Sequence, residues 1–167
     1  MKKQKGFSLI ELLIVVAIIL IIAAIAIPNL LRSKMAANEA SAVGSVRTIT
    51  TSQVAYSSTY GVGYTNLANL ATPAAGCPAT GATAAVACLI DSNLAGGTKS
   101  GYTFISLSNV VGTTATPAVA FNTSAVPQAL GQSGQNSFCS DESGVVRRDT
   151  AGGVQATCST SNLPPLQ

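Results

Sequence analysis

Hydrophobic residues fill every position from Leu12 to Ile27, and this block sets the organisation of the N-terminal part of the chain. Counted from Phe7 to Ile27, a helix of about 21 residues is about 31 Å long at 1.5 Å per residue. That is enough to cross a bilayer core. From Pro28 the pattern changes: Met35, Ala42, Val43, Val46, Ile49 and Val54 recur mostly at spacings of three, four or seven, which predicts one apolar stripe on a continuing helix. The helix is expected to run to about Tyr56 and to end in Ser57-Ser58-Thr59-Tyr60-Gly61. Pro28 lacks an amide hydrogen and its ring clashes with the preceding turn, so the helix should kink or open there.

Residues 59–100 are small and turn-rich, as in Pro73-Ala74-Ala75-Gly76-Cys77-Pro78 and Gly96-Gly97, and predict a long irregular loop with a short helical turn around Cys88 to Leu94. Beyond Gly101 the period shortens. Tyr102–Leu107 and Ala118–Asn122 read as strands, and Ser137–Ser140 with Val145–Arg148 read as a hairpin around Asp141-Glu142-Ser143-Gly144. The expected fold class is α+β. A long N-terminal helix, its apolar half protruding, lays its amphipathic half on a four-stranded antiparallel sheet spanning 101–149, and a tail follows from 150 to 167.

Charge sharpens this picture at one place. Glu11 stands directly before the apolar block, and the next charge is Arg32. A carboxylate within a membrane-length helix costs roughly 2.5–3.5 kcal/mol on insertion scales, and it marks function by default. No partner for it is expected within helical reach on the same segment. Lys2, Lys3 and Lys5 precede the block and would hold its start on the cytoplasmic side, with everything after Pro28 outside. A secretory signal cut near Ala24-Ile25-Ala26 or a plain single-pass anchor would use the same basic and apolar parts. Neither gives Gly6 or Glu11 a purpose.

The run Lys5-Gly6-Phe7-Ser8-Leu9-Ile10-Glu11-Leu12-Leu13-Ile14-Val15, closed by Pro28, resembles the class III signal of type IV pilins and their pseudopilin relatives. The resemblance implies a pilin fold and a chain divided into a leader, 1–6, a transmembrane and filament-core helix, 7–28, and a globular domain, 29–167, whose amphipathic helix spans 29–58. It implies cleavage after Gly6 by a prepilin peptidase and methylation of the new amine on Phe7. It also implies that turns before Pro28 melt on assembly, although this chain has Leu20 where many relatives carry glycine. Physical chemistry supports the placement of Glu11. In an apolar bundle an amine at Phe7 of one copy and the Glu11 carboxylate of another neutralise each other, and such a pair fixes register more than it adds stability.

Composition limits the rest. The formal charge is +3, but removing Lys2, Lys3 and Lys5 takes nine basic side chains to six, equal to the six acidic ones. A broad basic face for nucleic acid is therefore not expected. Four cysteines, Cys77, Cys88, Cys139 and Cys158, all fall on the exported side and favour two disulfides. Three pairings are possible; Cys77 with Cys88 and Cys139 with Cys158 close short loops and are preferred. With no histidine and no C-x-x-C, no metal site, cofactor or redox motif is expected, and the absence of a nucleophile with its base argues against an enzyme. Asp141, Glu142 and Asp149 do not have the spacing of a calcium loop, and Asn122-Thr123-Ser124 is a short glycosylation pattern that a strand end explains as well.

The functional expectation is a structural subunit that waits in the bacterial inner membrane, meets the peptidase and the pilus assembly machinery, and polymerises with other pilin subunits into an extracellular filament. The resemblance implies adhesion, twitching motility, aggregation or DNA uptake as the filament's work. A type II secretion pseudopilin and a monomeric membrane-anchored or secreted adhesin are the alternatives.

Overall fold

The computed structural model describes residues 7–108, 113–153, 158 and 163–166. Two compact units divide the chain, Met1–Lys34 and Met35–Gln167. The element order is α1 (Leu9–Tyr60), α2 (Ser92–Ala95), then strands β1 (Thr98–Lys99), β2 (Tyr102–Ser108), β3 (Phe121–Pro127), β4 (Ser137–Asp141) and β5 (Arg147–Asp149). The fold is α+β. Its sheet is antiparallel with strand order β1-β2-β3-β4-β5, so it has five strands rather than the expected four. The additional strand is the two-residue β1, too short for any periodicity to announce.

Helix α1 continues through Pro28 and does not open there. A proline removes one amide donor, and the hydrogen bonds of the turns on either side carry the helical backbone past it. In the first unit the apolar block is exposed, with Leu12 to Ile27 presenting large side chains such as Leu20 and Ile25 to the surroundings.

In the second unit the buried side chains of α1 are Ala42, Ser45, Val46, Ile49, Thr50, Ser52, Gln53 and Tyr56. The spacing of three and four is the predicted one, but the stripe is rotated from the expected face. Val54 lies outside it and is 53% exposed, while the polar Gln53 beside it is fully buried. Ala42, Val46, Ile49 and Tyr56 share one core with Tyr102 and Phe104 of β2, Ala125 of β3, Phe138 of β4 and Val146.

The segment between α1 and β1 has two parts. Leu67, Leu70, Ala87, Ile90 and Leu94 enter the same core. Backbone bonds from Ala87 to Asn69, from Leu89 and Ile90 to Leu70, and from Thr72 to Ile90 hold this part down. Only 73–83 is continuously exposed. The helical turn expected around Cys88 to Leu94 is α2, started by Asp91, whose carboxylate accepts the Leu94 N–H at 2.9 Å.

Strand β3 begins three residues later than the pattern predicted. Ala118 is taken instead by a parallel bridge to Gly63, in which the Ala118 N–H donates to the Val62 carbonyl and the Tyr64 N–H to the Ala118 carbonyl, both at 3.0 Å. Gly63 is required there: it has φ +79°, and an added Cβ would lie 2.1 Å from the Ala118 oxygen. Asn122-Thr123-Ser124 is accordingly not a strand end but the middle of β3, paired on both sides by β2 and β4.

Candidate functional site

The N-terminal turn is where the sequence placed the chemistry. Phe7 and Ser8 precede the helix, α1 starts at Leu9, and Phe7 is 79% exposed. The Ser8 carbonyl accepts the Leu12 N–H at 3.3 Å, which opens the helical ladder and makes Ser8 the capping residue. Glu11 is then the third helical residue, and its Oε2 accepts the Ser8 backbone N–H at 2.9 Å. A side chain that reaches back from this position to the capping residue's amide satisfies a donor that the helix itself cannot. The negative charge also lies at the positive end of the helix dipole.

This geometry corrects the expectation that Glu11 has no partner on its own segment. The partner is not a cation but an amide of the first turn. Ser8 is a functional residue that charge and hydropathy do not single out; its signal is spacing, since Ser8-Leu9-Ile10-Glu11 has the S-x-x-E pattern of a capping box before an apolar run.

The remaining predicted site residues fall as follows. Gly6 lies outside the described residues. Pro28 is within α1 and exposed, one residue before Asn29, whose carbonyl accepts the Ser33 hydroxyl at 2.9 Å. Helix α1 contains a membrane-length window of mean hydropathy 3.3, none of it buried. An apolar surface of this kind needs lipid or protein to cover it.

The fold brings Cys77 together with Cys88 and Cys139 with Cys158, with Cα–Cα separations of 6.0 and 5.7 Å. The two disulfides have different surroundings. Cys139 and Cys158 are buried at 0% and 1% exposure, whereas Cys77 lies in the exposed stretch 73–83. Cys158 ties part of the tail to β4, and Leu163–Leu166 follow along the other edge. There the Leu166 N–H donates to the Val146 carbonyl at 2.9 Å and the Arg148 N–H to the Pro164 carbonyl at 3.2 Å.

Of the acidic residues near the hairpin, Asp141 is engaged by its own turn. Its carboxylate accepts the Ser143 N–H and hydroxyl, and its carbonyl accepts the Gly144 N–H.

Comparison with known proteins bears on the N-terminal part. The prokaryotic N-terminal methylation motif matches residues 1–27. A curated relative, the type IV wide pilus major component PilA4 of Thermus thermophilus, is 62% identical over 39 residues. The aligned stretch covers 23% of this chain and 30% of that protein's length. No solved structure matches the chain. The N-terminal segment is thus similar to that of a type IV pilin component, and it leads into an α+β domain built of a long helix and an antiparallel sheet.

Proposed function

We propose that this chain is a structural, non-catalytic subunit of a type IV pilus, held in the inner membrane by its apolar helix until it polymerises with further copies into a surface filament. The observation that carries the reading is Glu11 at the start of an exposed apolar helix, within a segment matched throughout by the N-terminal methylation motif. Residues 1–6 are the leader, cut after Gly6 by the prepilin peptidase, and Phe7 is the residue whose amine is methylated. Residues 7–28 form the membrane and filament-core helix, and 29–167 form the globular domain.

The physical logic rests on solvent. In the membrane, lipid covers Leu12 to Ile27; outside it, water would face the same surface at a cost of about 25 cal/mol per Å². Copies that pack these helices against one another remove that cost. The amine on Phe7 of one copy and the Glu11 carboxylate of another then meet in a medium where each needs the other. Turns before Pro28 are the place where such a helix would lose hydrogen bonds on assembly, since one donor is already missing.

The test is electron microscopy of cells producing the chain at native level. Long surface filaments containing it are expected, and Glu11→Ala should abolish them while leaving membrane insertion intact. Normal filaments from Glu11→Ala would refute the pairing. Short assemblies confined to the envelope would favour a secretion pseudopilin, and a monomeric surface protein would favour an adhesin.

A further inference from the structure

The Ser8–Glu11 contact does more than start a helix. We propose that Ser8 is a positioning residue for assembly: its backbone amide holds Glu11 folded back over the first turn, so that the carboxylate is already aimed at the N-terminal end when a second copy's amine arrives. The inference deepens the pilin reading and rests on it.

The observations are local and specific. The Ser8 N–H donates to Glu11 Oε2 at 2.9 Å, across three residues. Glu11 is exposed, so its side chain is free to point away from the turn, and yet it reaches back to the Ser8 amide. A carboxylate has two oxygens and about four acceptor sites, so one amide leaves capacity for a cation. The capped oxygen and the incoming amine are therefore not competitors. Holding the acceptor in one geometry before the encounter also removes part of the ordering cost that a flexible side chain would impose on association.

The substitution at position 11 separates capping from charge. A glutamine side chain can reach back to the same amide as glutamate does, but it has no charge to offer an amine. Alanine can do neither. In the mature chain solubilised in detergent micelles, the Ser8 amide is expected to exchange with solvent about tenfold more slowly in the wild type than in Glu11→Ala, a ratio in keeping with the net strength of one charge-assisted hydrogen bond. Glu11→Gln should restore most of the protection without restoring filaments. Removing the donor itself, as Ser8→Pro, should lower filament yield several-fold in chains correctly processed at Phe7, whereas Ser8→Thr should assemble as the wild type does.

Equal Ser8 exchange in wild type, Glu11→Gln and Glu11→Ala overturns the proposal even if wild-type filaments form. So does undiminished assembly of processed Ser8→Pro. A wild-type chain that shows the protected Ser8 amide but never polymerises would contradict the pilin reading instead, and the two failures are told apart by the micelle measurement alone.

Discussion

Gln53 and Thr65 exchange two hydrogen bonds in the core: Gln53 Oε1 accepts the Thr65 N–H at 2.9 Å, and Gln53 Nε2 donates to the Thr65 carbonyl oxygen. The same Nε2 donates to the Ser106 hydroxyl of β2 at 3.0 Å, and Ser106 in turn shares a hydrogen bond of 2.9 Å with Thr123 of β3. One buried amide therefore ties the helix, the loop after it and the middle of the sheet. Buried polar groups stay in a core only when satisfied, and here each satisfies the next.

Removing that amide should be costly. Gln53→Ala leaves the Thr65 backbone groups and the Ser106 hydroxyl with lost partners in a buried site, each worth about 1–3 kcal/mol when orphaned. A loss of about 3 kcal/mol in unfolding free energy is expected by denaturant titration. Ser106→Ala, which deletes only one link, should cost about 1 kcal/mol.

Tyr102 gives the domain a pH dependence on the alkaline side. Burial, and then the nearby Glu39 carboxylate, push its phenol well above the usual range near 10. The neutral phenol is also a donor, to the Asn136 carbonyl at 2.8 Å, while Glu39 holds the Gln135 and Asn136 amides of the same loop. Below pH ~10 both folded and unfolded chains keep the proton, and the full stability is present. Above pH ~10 the unfolded chain loses it first, so stability falls as pH rises toward the folded value. Thermal melts from pH 8 to 11 should show this decline, and Tyr102→Phe should flatten it despite losing the hydrogen bond.

The two disulfides should part company under reductant. Cys77 is exposed, whereas Cys139 and Cys158 lie within the fold. Reduction under native conditions should therefore open Cys77–Cys88 first, and Cys139–Cys158 only as the domain unfolds. Alkylation followed by mass mapping would show labels at 77 and 88 before 139 and 158. By the loop-entropy account each bond contributes about 3 kcal/mol, so removing the buried one should prevent stable folding of so small a domain.

How far the sequence revealed this depends on which interactions set each element. The apolar block, the spacing of Ala42, Val46 and Ile49, and the alternation of Tyr102-Thr103-Phe104 are repeated patterns, and burial enforces them over many residues. The hairpin was visible because Asp141 to Gly144 carry turn chemistry between two short strands. The start of β3 was not visible. Its interior is polar, Thr123 is fully buried, and its register depends on Gln53 and Ser106, far away in the chain. Val54 is apolar and falls on the predicted stripe yet is exposed, whereas Gln53 belongs in the core for the hydrogen bonds it makes. At the site, Glu11 was legible as an anomaly of charge. Its bond to Ser8 is legible only as a spacing, because a backbone amide partner leaves no mark in the charge pattern.

The central claim is that the chain is cut to begin at Phe7 and that its new amine is the counterpart of Glu11 in another copy. Intact-mass and N-terminal analysis of the mature chain from producing cells tests this most directly. The account predicts a start at N-methylated Phe7 with both disulfides formed, whereas a chain that retains Met1 to Gly6, or one that starts at Ile27, would contradict it.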